Sequence, residues 1–244
     1  MENGVYIKEG SGLTFLTTTT WSDVQKYQGW SIDKWFPNSR RILIDGRWGW
    51  FDIWYKWISE ALKTDSQWFI HIDEDCFVFG DRITETISMM EEKGYGIAGC
   101  PDGYHEYRSG NHMALNSFFM IVHRSALEKW RDWTGDYPQF NRDWVEDYPF
   151  QKKNDSIYTE YQPWDRWVPN TEPYYNFMWV LKHSGVRFLY LEPGYEDGLS
   201  LTTLMGGTIK HAWHMRERWD NRIVSPLHKL RNSDRFNLFM ESSQ

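Results

Sequence analysis

The sequence predicts an α/β fold of 244 residues in which helices flank a mostly parallel central sheet, in a single domain with a long aromatic-rich insert over 134–170. Three observations carry this reading. Strand-length apolar runs alternate with amphipathic helical patterns, the order that right-handed parallel crossovers produce. Trp68, Phe69, Ile70 and Ile72 are too uniformly apolar for a strand with one wet face, and they suit a strand buried on both faces. That run ends in Asp73-Glu74-Asp75 before the chain turns apolar again at Cys76–Phe79. Three acids at the carboxyl end of a central strand lie where open α/β sheets bind their ligands.

Taken in order, Leu13–Thr20 follows a Gly-Ser-Gly turn and reads as the first strand, with Thr17–Thr20 emerging at its carboxyl end. Trp21–Phe36 turns helical towards its end, and Pro37-Asn38-Ser39 stops it. A second strand, Arg41–Ile44, ends in Asp45-Gly46-Arg47. Trp50, Ile53, Trp54, Trp57, Ile58 and Ala61 share one face at helical spacing, a core face. After the acidic strand comes a helix from about Asp81 to Lys93, with Ile83, Ile87 and Met90 inward and Gly94 as its stop.

Tyr95–Cys100 is a short strand, and Pro101–Asn116 a polar loop carrying His105, Arg108 and His112. Ser117–Val122 forms a strand, and Ser125 with Glu128 three residues on forms a capping box for the next helix. The segment Thr134–Asn170, rich in aromatics and prolines, reads as a functional segment such as a binding loop or lid, or as an insert packed on its own rings. Thr171-Glu172-Pro173 opens a helix that Gly185 ends, followed by the strand Val186–Leu191. The block Gly206–Trp219 gathers His211, His214, Lys210, Arg216 and Arg218, and 215–244 reads as a C-terminal helix and tail.

Composition narrows the function. A net charge of −7 does not invite nucleic acid or an anionic membrane surface. Apolar runs long enough to span a bilayer and a charged-then-apolar leader are both lacking, and the two cysteines fit reduced thiols in a cytoplasm. Aromatic residues make up 18% of the chain, with 16 Trp, more than a core alone needs and suited to stacking on sugars or bases.

Asp73 and Asp75, one residue apart, repel each other unless a cation lies between them, and hard oxygen donors favour magnesium, manganese or calcium. A strand ending in Asp-x-Asp resembles the metal-binding motif of nucleotide-sugar-dependent glycosyltransferases with the A-type (GT-A, Rossmann-like) fold. The resemblance extends over most of the element order. It implies Mn2+ or Mg2+ held by Asp73 and Asp75 with His211 or His214, and a diphosphate met by Lys210, Arg216 or Arg218. It further implies that Thr17, Thr18 and Asp45, with Asp73, border the donor, that residues 1–100 form the nucleotide-sugar half and 101–214 the acceptor half, and that Asn116 and Ser117 line the acceptor side. Glu172 matches the acidic residue presented to the acceptor, a direct base in an inverting enzyme and an oxocarbenium stabiliser in a retaining one.

The implied partners are a nucleotide diphosphate sugar, with a UDP-sugar favoured, and an acceptor hydroxyl on a glycan, a lipid-linked sugar or a small molecule. Three other readings stay open at this level. A hydroxylated base in DNA is an alternative acceptor that the net charge disfavours. A non-catalytic carbohydrate-binding module would hold structural calcium at the same acids. A nucleotidyltransferase would need a basic phosphate loop near the N-terminus, for which Gly10-Ser11-Gly12 beside Lys8 is a poor match.

Overall fold

The computed structural model describes residues 5–10, 12–20, 23–46, 50–102, 114–134, 174–196 and 201–212. The elements are β1 (Val5–Lys8), β2 (Thr14–Thr19), α1 (Asp23–Trp35), β3 (Arg40–Asp45), α2 (Trp50–Leu62), β4 (Trp68–Ile72), β5 (Cys76–Val78), α3 (Arg82–Lys93), β6 (Ile97–Pro101), β7 (Leu115–His123) and α4 (Arg124–Arg131). They continue with α5 (Tyr175–His183), β8 (Phe188–Tyr190), β9 (Gly194–Glu196), β10 (Leu201–Leu204) and β11 (Ile209–Ala212).

Seven strands form the central sheet in the order β1-β3-β2-β4-β7-β6-β8. Strands β3, β2, β4, β6 and β8 point the same way, while β1 and β7 run against them. The expected mostly parallel sheet is therefore present, with one antiparallel strand, β7, inserted between β4 and β6. β4 is buried along its whole length, as its uniform apolar character requires.

Side chains of β4 alternate between two cores. Phe69 joins a cluster with Trp54, Trp57, Leu127, Phe177 and Val180 from α2, α4 and α5. Trp68, Ile70 and Ile72 join a second cluster with Ile32 of α1 and Ile83, Ile87 and Met90 of α3. The helical spacing read from the sequence is the one buried here, and full burial of each such side chain contributes about 1.5–3 kcal/mol. Gly94 closes α3 in the left-handed conformation, φ 71°, as its position just past the last apolar residue requires.

Two features differ from expectation. The helix after β7 is capped by His123, not by a Ser125–Glu128 box. The His123 side chain accepts from the Ser125 N–H, and Glu128 instead receives the Arg124 guanidinium at 3.0 Å. An imidazole two residues earlier thus satisfies the orphan donor, which starts the helix at Arg124. The second is a separate antiparallel sheet, β5-β11-β10-β9, built from strands of three or four residues. It includes the apolar flank that follows the acidic triplet.

Candidate metal centre at the carboxyl edge of β4

The acidic triplet forms a turn between β4 and β5, pinned on several sides. The Asp73 N–H donates to the Phe118 carbonyl at 2.9 Å, and its own carbonyl accepts from the Cys76 N–H at 3.0 Å. Gln28 of α1, fully buried, donates from Nε2 to the same Asp73 carbonyl at 2.7 Å. The Asp75 carbonyl accepts from the Ala212 N–H at 2.9 Å. The Cys76 bond closes the turn, and the other three fix it to β7, α1 and β11.

The pairing of β11 with β5 brings the histidine in. His211 lies opposite Cys76 in the antiparallel register. Its Nε2 is 3.3 Å from Asp75 Oδ1, and both side chains are buried. The ring stacks on Phe118 with centroids 4.4 Å apart and planes 8° from parallel, which fixes its orientation. Asp73, half-buried, completes the group: one ligand atom from each of Asp73, Asp75 and His211 lies within 4.8 Å of the others. Two carboxylate oxygens and one imidazole nitrogen converging from residues distant in sequence form a donor set for a hard-to-borderline divalent cation.

Adjacent Cys76 is not part of that set. Burial, reinforced by the carboxylates of Asp73 and Asp75, pushes its thiol well above the ordinary value, so it stays protonated.

Glu74, in the middle of the triplet, faces the end of β2. Its Oε2 accepts from the Thr19 hydroxyl at 2.9 Å and the Thr20 N–H at 3.1 Å, and its Oε1 from the Thr20 hydroxyl at 2.9 Å. Thr17 is buried and its hydroxyl donates to Gln28 Oε1 at 3.3 Å, while Thr18 is half-buried. Asp45 is buried at the end of β3, opposite Thr19 in the parallel register, and the Gly46 N–H donates to the Thr19 carbonyl at 2.8 Å.

Lys210 neighbours His211 on β11, so its side chain leaves by the opposite face of the small sheet and lies over the Phe79 ring at 5.0 Å. Glu172, His214, Arg216 and Arg218 lie outside the described residues.

A second acid, Asp102, is buried at the carboxyl end of β6. Asp102 Oδ1 accepts from Asn116 Nδ2 at 2.6 Å and from the Tyr174 hydroxyl at 3.0 Å, and its Oδ2 accepts from the Tyr175 hydroxyl. Asn116 also accepts from the Phe118 N–H at 3.1 Å. Sequence reading passed over Gln28, Phe118 and Asp102, because each acts through a partner tens of residues away. Glu74 was visible only as part of the triplet.

No family model matches the sequence, and no curated protein matches it. Among solved structures the chain is similar to a glycosyltransferase involved in the glycosylation of the major capsid of PBCV-1, at 16% identity and TM-score 0.34. That match covers 48% of this chain and 62% of the other. It is also similar to an active-site mutant of LgtC, at 13% identity and TM-score 0.37, covering 72% of this chain and 71% of that one. Identity this low leaves function to be argued from the chemistry of the site.

Proposed function

We propose that the chain is a metal-dependent glycosyltransferase that moves a sugar from a nucleotide diphosphate sugar to an acceptor hydroxyl. The observation that carries this reading is the convergence of Asp73, Asp75 and His211 at the carboxyl edge of the central sheet. Two carboxylates suit magnesium, calcium or manganese, and the added imidazole moves the preference towards manganese. Bound there, a divalent cation supplies electrostatic stabilisation for the charge that a departing diphosphate develops.

The chain's own residues take the remaining roles. The half-buried Asp73 gives the buried Asp75–His211 pair its side towards substrate. Thr17, Thr18 and Asp45 are assigned to the donor edge, and Lys210, Arg216 and Arg218 to charge-assisted hydrogen bonds with phosphate oxygens. Glu172, just ahead of α5, is assigned to the acceptor hydroxyl, whose proton must leave as the new bond forms. His214 is the alternative third ligand. A UDP-sugar is the favoured donor and a carbohydrate hydroxyl the favoured acceptor.

Thermal unfolding against UDP, GDP, CDP and ADP, each with and without manganese, tests the reading, because a ligand that binds only the native state raises the midpoint. A rise with one nucleotide that requires manganese is expected, and Asp75→Asn removes it. A rise with calcium alone and none with any nucleotide would move the reading to a carbohydrate-binding module.

A further inference from the structure

Resting on the metal reading of Asp73, Asp75 and His211, we infer that Glu74 is a positioning residue that joins the metal turn to the donor edge, so that cation and nucleotide binding depend on one another. The two aspartates flanking it converge with His211, whereas its own oxygens face the end of β2. There it receives the hydroxyls of Thr19 and Thr20 and the backbone N–H of Thr20, three donors from two consecutive residues. Its side chain is only 1% exposed. A carboxylate carried into the interior beside two others is kept there only by donors of this kind.

The connection runs further. The Thr19 carbonyl, on the other side of the same residue, accepts from the Gly46 N–H, which follows Asp45. One continuous set of hydrogen bonds therefore links the Asp73–Asp75 turn, the end of β2 and the end of β3. A displacement of the turn by an ångström, enough to spoil a coordination shell, moves Thr20 and Gly46 with it. A nucleotide seated on that edge in turn holds the turn in its ligating position. The chemistry asks for glutamate here: it reaches across to β2, and both its oxygens accept. Glutamine would replace one charged acceptor by an N–H group that the Thr20 hydroxyl must turn round to accept from, and aspartate would fall short.

The test measures the dissociation constant for manganese by electron paramagnetic resonance, and for UDP by calorimetry with and without manganese. It uses the full chain, Glu74→Gln, Glu74→Asp and Thr20→Val. Thr20→Val keeps every charge and removes one hydroxyl from an exposed residue, so it separates positioning from the loss of negative charge and survives if Glu74→Gln fails to fold. Both Glu74 variants are expected to weaken manganese binding by about tenfold or more. Thr20→Val should weaken it several-fold, with the enhancement of UDP binding by manganese reduced in all three. Unchanged manganese affinity in Thr20→Val alongside a loss in Glu74→Gln would assign the effect to charge and overturn the proposal. A wild-type chain that binds no manganese would instead overturn the metal reading and this inference with it. The manganese measurement needs no nucleotide, so it decides even if UDP is the wrong base.

Discussion

Two groups of acids stand on the same edge of the central sheet, and their surroundings differ. Asp102, at the end of β6, accepts from three neutral donors: one amide and two phenols. Asp73 and Asp75, at the end of β4, face one another and an imidazole. The first arrangement gives a carboxylate three donors within the protein and ties β6 to the start of α5. The second brings two carboxylates and an imidazole together, a donor set that would suit a divalent cation. Both groups stand at the carboxyl ends of strands on one edge of the sheet, and it is their neighbours that differ.

The largest test of this contrast is the exchange of charge at each site. Asp75→Asn should lower manganese affinity by more than about 100-fold, beyond the 10- to 100-fold typical of outer-shell changes, and leave the metal-free thermal midpoint unchanged or higher, because a repulsion is removed. Asp102→Ala should do the reverse: about 3 kcal/mol lost in urea denaturation, since three buried donors lose their acceptor, with manganese affinity unchanged in the folded protein. Loss of manganese binding in Asp102→Ala would collapse the distinction.

The histidines repeat it. His71 and His211 are both 3% exposed. His71 sits among Trp54 and Trp57, with ring centroids at 5.1 and 5.5 Å, and its Nδ1–H donates to the Ser117 carbonyl at 2.6 Å. Burial, only partly opposed by that bond, brings its pKa down from 6.5 to about 4. The folded protein thus holds His71 neutral, whereas the unfolded chain binds a proton near 6.5. The stability this gives is fully present above that value and is lost as pH falls from there through about 4. The loss is on the order of 3 kcal/mol. Urea midpoints from pH 7 to pH 4 in the wild type and in His71→Gln measure it; equal slopes in the two proteins would show that His71 is not the source.

The smallest expected effect lies where β3 ends beside β2. A Cβ at Gly46 would approach Thr18 Cγ2 to 2.8 Å and the Thr19 carbonyl oxygen to 3.3 Å. Gly46→Ala should therefore cost about 1–2 kcal/mol through crowding, read from the chemical midpoint, and weaken UDP binding if that edge receives the donor.

These comparisons also show which parts of the molecule are written locally. β4 was readable because burial on both faces leaves a run with no alternation, and α2 and α3 because their buried residues recur at helical spacing. The small sheet was not, since β5 and β9 have three residues each and gain their identity from partners far along the chain. The threonines of β2 illustrate the same limit. Their sequence speaks of strand propensity and small hydroxyls, while the acceptor that Thr19 and Thr20 bind, Glu74, is more than 50 residues away. Asp73 and Asp75 were legible as a pair of acids at a strand end, but His211 entered only through resemblance to a known motif.

The pairing of β5 with β11 has a consequence for how the protein comes into being. Asp75 and His211 are separated by more than half of the chain's length, and they meet only when this short ladder closes. Non-local contacts of that kind form late and slowly, because the entropy of closing a long loop is lost before any contact rewards it. During synthesis the two aspartates leave the ribosome well before His211 exists, so the group they form with it is complete only when the C-terminal strands arrive. Metal affinity followed through refolding would report the docking of β11 itself, a clock for the last step of assembly.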